Sequence, residues 1–259
     1  MSADTQVKPA DGPLGSRRAG LRRQRIHAAL AGSDTKRRYV RQLFGRIARR
    51  YDVTNDVMSF GLHRRWKRQL IRLADIQPGH VVLDLAAGTG DLALRVAEGS
   101  RVLAADLTME MLKVGRSKAK SGHVEWTQCD ALALPLPDQS VDRVLVGYGL
   151  RNFTDLEAGL REIQRCLKPG GRLVTLDFGR ASPPRLHRLY LKYLDISTAA
   201  IGWLLHRDAE SYLYIPESLR QFPAQMGVAD QMLRLWFERC GYLDLWFGVM
   251  AINFGDVPA

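Results

Sequence analysis

The run Asp84-Leu85-Ala86-Ala87-Gly88-Thr89-Gly90 constrains this chain more than any other feature. Ahead of it, Val81-Val82-Leu83 is a short apolar run of the kind that makes a buried strand, and a helical pattern starts at Asp91. A strand, a glycine turn and a helix in that order form the first unit of a doubly wound α/β sheet. The glycines permit close backbone approach, and the helix start offers free N–H groups to a ligand.

The rest of the sequence keeps the rhythm. Further strands are predicted over 101–105, 123–128, 141–147 and 172–178. Helices are predicted between them over 91–98, from a Thr108 cap to 119, and from the capping box Thr154-Asp155-Leu156-Glu157 to 168. Gln77-Pro78-Gly79 and Pro169-Gly170-Gly171 are the breakers. Residues 41–76 read as N-terminal helices that form a lid. Residues 182–224, rich in Leu, Tyr and Trp and carrying four prolines, read as a helical insertion after strand five that covers the substrate. A helix over 228–240 and strands over 242–247 and 249–254 close the fold. The expected class is α/β, a Rossmann-like and mainly parallel doubly wound sheet.

Charge bears on partners through its location. The 259-residue chain has a formal net charge of +11. Thirteen of its 38 basic residues lie within the first 50 positions against three of its 27 acidic ones, so the body is near neutral. A nucleic-acid partner is therefore not expected. Residues 1–40 read as a basic, flexible leader, either a solvated tail or an electrostatic tether for peripheral contact with anionic lipid headgroups. An organellar presequence is a third reading, opposed by Asp4 and Asp11. No window of 18 apolar residues exists. Cys129, Cys166 and Cys240 are widely spaced without a CxxC, which predicts no metal site and fits a reduced, cytoplasmic compartment. The sequence leaves a homodimer open.

In such sheets the ligand sits at the carboxyl ends of the strands where their order reverses. There the sequence places Gly88 and Gly90, then Asp106 as an acceptor for two ribose hydroxyls, then Asp130 with the Ala131 N–H for an adenine. The same glycine spacing fits a dinucleotide. A pyrophosphate beside Asp84 and Asp91 would be repelled, whereas an ammonium-bearing amino acid is attracted, and this favours S-adenosylmethionine as cofactor.

Several motifs closely resemble those of the ubiquinone/menaquinone biosynthesis C-methyltransferases. They are Arg50-Tyr51-Asp52-x-x-Asn55-Asp56-x-x-Ser59-x-Gly61-x-His63-Arg64-x-Trp66-Lys67, the turn from Leu83 to Asp91, Ala133-Leu134-Pro135-x-Pro137-Asp138, and Tyr148-Gly149-Leu150-Arg151-Asn152. The resemblance implies a class I fold and methylation of a ring carbon of a reduced, prenylated quinone precursor. It also implies cofactor contacts at Thr89, Asp106, Asp130, Ala131 and Gly147. Two departures stand out. Ala86 replaces a common glycine at little expected cost, and Gly147 replaces a serine found in some relatives.

A ring carbon ortho to a phenol becomes nucleophilic when the phenol ionises, at a cost of about 4 kcal/mol at pH 7. A nearby guanidinium lowers that pKa by about 1–3 units. Arg151 is the candidate for this role, with Asn152 orienting the ring and Tyr51 or Asp52, or a water, taking the proton. His63 reads as structural beside Trp66. Tyr190, Tyr193, Trp203, Leu204, Leu205, Tyr212 and Tyr214 are expected near a prenyl tail. Two other readings stand beside this one: a non-catalytic cofactor-binding subunit, and a methyltransferase for another small phenolic or sterol-like substrate.

Overall fold

Val81-Val82-Leu83-Asp84-Leu85 forms β1 (Val81–Leu85), whose last four residues are buried, as a central parallel strand covered on both faces requires. In the computed structural model, which describes residue 24 and residues 26–119, 123–206 and 210–259, with the backbone alone within 199–212, β1 pairs in parallel with two strands. These are β2 (Arg101–Asp106) and β4 (Val141–Gly147), so the strand order reverses beside β1. β3 (Val124–Gln128) extends the sheet past β2, and β5 (Leu167–Phe178) extends it past β4. β7 (Met250–Asp256) pairs antiparallel to β5, and β6 (Glu238–Leu245) is the edge, giving the order β3-β2-β1-β4-β5-β7-β6.

Nine helices are labelled in chain order among the described residues. They are α1 (Ser33–Ile47), α2 (Tyr51–Ser59), α3 (His63–Ala74), α4 (Asp91–Val96), α5 (Met109–Lys118), α6 (Leu156–Cys166), α7 (Pro184–His206), α8 (Glu210–Gln221) and α9 (Ala224–Arg234). One sheet face buries Leu70, Ala74, Leu92 and Val96 from α3 and α4 against Val82, Leu145 and Ile252. The other buries Leu160, Ile163, Val228 and Met232 from α6 and α9 against Val144, Val146 and Leu173. Both faces of the sheet are thus sealed, which leaves its carboxyl edge as the open end.

Several boundaries differ from the sequence expectation. The leader ends well before residue 40. Ile26, Leu30 and Val40 are buried with Leu43 and Ile47 against Met111, Leu213 and Tyr214, because their helical spacing makes an apolar stripe within the basic run. The cap of α6 is Asp155, whose carboxylate accepts from the Ala158 N–H at 3.0 Å, one residue after the expected Thr154. Thr108 stands at the N-cap of α5 but forms no side-chain cap; its hydroxyl turns to the Asp106 carboxylate instead. β5 begins at Leu167, before the Pro169-Gly170-Gly171 breaker, and absorbs it as a register shift with Gly170 at φ +71°. The final helix stops at Arg234, and Cys240 belongs to β6. Among the described residues, no helix is long and apolar enough to cross a membrane.

Candidate active site

Two cavities meet at the carboxyl edge of the sheet. The first is a narrow cleft of about 80 Å³ over the glycine turn, lined by Gly88, Asp106, Met111, Asp130, Ala131 and Gly147 among others. The second is an apolar chamber of about 570 Å³, within the roughly 300–1,000 Å³ usual for small-ligand sites, roofed by α1, α2 and α7. Phe44, Tyr51 and Tyr148 line both, so a group held in the cleft faces the chamber across these three rings.

The cleft is organised by Asp106 at the end of β2. Its carboxylate accepts from the Gly88 N–H at 2.8 Å and the Thr108 N–H at 2.7 Å, which fixes the turn and leaves lone pairs on each oxygen for a ligand's hydroxyls. Burial raises its pKa, while those two N–H groups oppose the shift. Gly88 holds φ +56°, a conformation an L side chain adopts only with strain. Asp130 accepts from the Leu132 N–H at 3.0 Å and pairs with Arg37 of α1 at 3.3 Å, so the N-terminal helix reaches across the cleft to the expected adenine contact. An acceptor pair at Asp106, a second acceptor at Asp130 and the apolar flank of Leu107 and Met111 suit the ribose and adenine of S-adenosylmethionine.

Three predicted cofactor residues lie behind this surface. Thr89 is buried, and its hydroxyl donates to Asp52 at 2.5 Å. A Cβ on Gly90 would come within 2.3 Å of the Trp126 ring, so this glycine answers to packing. Asp84 is buried beneath the turn and accepts from the Ala93 N–H at 2.8 Å. Asp91 is met by Lys67 at 2.8 Å and Arg95 at 2.9 Å; burial opposes its charge, but these cations bring its pKa down to about 2. The carboxylate charge expected to attract an ammonium is therefore largely committed within the protein.

The two sequence departures also acquire reasons. Ala86 sits at φ +55°, so an alanine there costs about 1 kcal/mol, more than the sequence reading allowed. A Cβ on Gly149 would lie 2.6 Å from the Ala86 Cβ, so the turn and the end of β4 need small residues at both places. A Cβ on Gly147 would approach the Leu92 Cδ1 to 2.9 Å, and a serine there would have to displace that leucine.

Asp84 makes a pH prediction. Burial raises its pKa to about 7, against an ordinary value of 3.8. Between those values the folded protein holds a proton that the unfolded chain releases. This group's contribution to stability is full below about pH 4 and falls as pH rises toward 7, by at most about 1.4 kcal/mol per pH unit. Urea unfolding from pH 5 to 8 should show that slope, and Asp84→Asn should flatten it. An unchanged slope in the variant would assign it to other groups.

The predicted catalytic residues divide between the cavities. Tyr51 lines both cavities, Arg151 the chamber and Asn152 the cleft, while Asp52 lines neither. Asp52 ties Thr89 to Lys118, which it contacts at 2.8 Å, so it clamps α2 onto the turn and is not placed to take a substrate proton. The Asn152 amide is also engaged. Its oxygen accepts from the Tyr214 hydroxyl at 2.9 Å, and its nitrogen donates to the Tyr148 carbonyl at 3.3 Å. Two of its amide hydrogen bonds are thus made to the tyrosines that flank the site.

Arg151 is buried in the chamber wall. Its guanidinium donates to Asp177 at 2.9 Å and to the Tyr148 carbonyl at 2.6 Å, and it lies 5.1 Å from the Phe178 ring centroid. Burial works against its charge, but Asp177 more than offsets this and holds its pKa above the ordinary value. Its Nε has no hydrogen-bond partner among the described residues. Of the residues expected near a tail, Tyr190, Tyr193 and Tyr214 line the chamber; the side chains of Trp203, Leu204, Leu205 and Tyr212 lie outside those described.

Three residues gained importance only in the structure. Lys67 is buried between Asp91 and the Tyr148 ring, 5.8 Å from its centroid, and links the turn to the partition. Tyr148 supplies that partition, and burial raises its pKa well above the ordinary value. His63 lines the chamber with Nε2 2.8 Å from Asp56, and burial lowers its pKa despite that carboxylate. The Asp56-to-His63 spacing spans a turn between two helices, and helical periodicity does not reveal such a pair.

The comparisons with known proteins agree with this geometry. The sequence model of the ubiE/COQ5 methyltransferase family matches residues 32–256. A relative from Acidiphilium cryptum (strain JF-5), named ubiquinone/menaquinone biosynthesis C-methyltransferase UbiE, is 45% identical over 226 residues, covering 85% of this chain and 91% of its own. One of the same name from Shewanella frigidimarina (strain NCIMB 400) is 41% identical over 231 residues, covering 86% and 92%. A solved SAM-dependent methyltransferase from Thermotoga maritima shares the fold with a TM-score of 0.60 at 20% identity, covering 83% of this chain and 98% of that one. Phosphoethanolamine N-methyltransferase 2 from Haemonchus contortus does so with a TM-score of 0.57 at 15% identity, covering 75% and 53%. With its glycine turn, its Asp106 cleft and a family match across nearly all of its folded length, this chain belongs to the ubiE/COQ5 family of S-adenosylmethionine-dependent methyltransferases.

Proposed function

We propose that this chain methylates a ring carbon of a prenylated quinol, converting demethylmenaquinol to menaquinol and/or serving ubiquinone biosynthesis. One observation carries the reading. A cofactor cleft and a large apolar chamber meet at Phe44, Tyr51 and Tyr148, with the buried guanidinium of Arg151 in the chamber wall. A polar or charged substrate has little to bind there, whereas a ring with an isoprenoid tail gains about 0.8 kcal/mol for each CH₂ it buries.

S-adenosylmethionine supplies an electrophilic methyl group on a sulfonium. Asp106 and Asp130 would accept from the donor's ribose and adenine, and the backbone of the Gly88 turn would hold its amino-acid end. Arg151 faces the quinol hydroxyl and stabilises its phenolate, which directs electron density to the adjacent ring carbon. Asn152 fixes Tyr214 and the Tyr148 backbone, and thereby the wall against which the ring stacks. The methyl leaves the sulfonium sulfur, which departs as a neutral thioether, and the proton lost from the ring carbon would pass by way of Tyr51, where the two cavities join, to solvent water at the cavity mouth. The apolar lining excludes water, which strengthens the Arg151 interaction and protects the methyl from hydrolysis.

Quinone profiling of cells lacking the gene tests this reading. The demethylated quinone should accumulate and disappear on complementation. An unchanged profile would point instead to a non-catalytic subunit or to another phenolic or sterol-like substrate.

A further inference from the structure

The chamber opens to solvent through a rim of apolar side chains. Phe60, Leu189, Tyr193, Trp246 and Phe247 line it and are at the same time exposed, Phe60 by 79% and Phe247 by 78%. They come from three separate places: the end of α2, one face of α7, and the turn between β6 and β7. Phe60 and Phe247 sit at φ +50° and +55°, where a bulky side chain is strained, so the fold holds these rings outward at some cost.

The rim is also flanked by cations. On α7, Arg185, Arg188 and Lys192 alternate with Leu189, Tyr193 and Ile196 at helical spacing on one exposed face, and no acidic residue occurs from Pro184 to Leu194. α3 starts at the rim with exposed Arg64, which pairs with Asp56, and exposed Arg65; residues 57–74 contain no acidic side chain. This one-sided charge stands out in a body whose charges otherwise nearly balance.

We propose that this rim is a docking surface for an anionic phospholipid bilayer. Phe60, Trp246 and Phe247 enter at headgroup level, and Arg185, Arg188 and Lys192 meet the phosphates. The chamber mouth then faces the acyl phase, and an isoprenoid tail passes from lipid to protein without crossing water. The inference deepens the quinol reading, but vesicles containing neither quinol nor donor test it independently of methyl transfer.

The full-length protein is sedimented with vesicles of phosphatidylcholine alone and of phosphatidylcholine mixed with phosphatidylglycerol. Binding to the mixed vesicles should be at least about tenfold stronger. Two variants should each lose about tenfold or more while melting at the parent's temperature: Phe60→Asn with Phe247→Asn, because asparagine tolerates positive φ, and Arg185→Gln with Arg188→Gln and Lys192→Gln. Changing Arg17, Arg18, Arg22 and Arg23 to Gln should cost less than either. The proposal is overturned by equal binding to both vesicle types, by a loss confined to the leader variant, or by a failure to bind vesicles together with a dimer in light scattering that the Phe60 and Phe247 changes dissociate.

Discussion

Replacing Arg151 by alanine is expected to lower kcat by roughly ten- to a thousandfold and to destabilise the fold by about 3–5 kcal/mol. The rate effect follows from losing a guanidinium that lowers the phenol's pKa by about 1–3 units. The stability effect follows from Asp177, which would be left buried and charged without its 2.9 Å partner; the two side chains are 5% and 4% exposed. The consequences separate in a double variant. Arg151→Met with Asp177→Leu removes both charges and should regain most of the stability while kcat stays low. Urea unfolding reads the first quantity and single-turnover methyl transfer the second. A double variant that transfers methyl at the parent's rate would make Arg151 a scaffold residue only.

Asp106→Ala should weaken S-adenosylmethionine binding by about a hundred- to ten-thousandfold. Two hydrogen bonds from ribose hydroxyls to a carboxylate are worth about 1.5–3 kcal/mol each, together about 3–6 kcal/mol. The same substitution releases the Gly88 and Thr108 N–H groups that Asp106 now holds, so the turn loses its anchor as well. Asp106→Asn keeps the shape and one acceptor and should lose less. Isothermal titration measures both constants. An alanine variant binding within about threefold of the parent would remove Asp106 from the cofactor site.

Much of the fold was legible because parallel strands buried on both faces write themselves as continuous apolar runs, and glycine and proline mark their ends. Charge hid the folded part of the leader, since Lys36, Arg37 and Arg38 surround the apolar stripe that Val40, Leu43 and Ile47 present to Tyr214. That Gly88, Asp106, Asp130 and Gly147 line one cleft was legible for a topological reason: each lies at or just past the carboxyl end of a parallel strand. Direction was not legible. Sequence places Asp52 beside Tyr51 and Asn152 beside Arg151, but on short helical segments adjacent residues point to different sides, so one member of each pair faces the chamber and the other does not. Partners distant in sequence were hidden for the same reason. Asp177, 26 positions beyond Arg151, sets the charge of that site and carries no motif.

The central claim is transfer of a methyl from S-adenosylmethionine to a quinol ring carbon. Incubating the protein with methyl-labelled donor and a reduced, demethylated prenyl quinol, then locating the label in the product, tests it directly. Label is expected on the ring carbon next to a hydroxyl, with the oxidised quinone giving no product because it has no phenol to ionise. Label on oxygen, or no transfer to any quinol under reducing conditions, would contradict it.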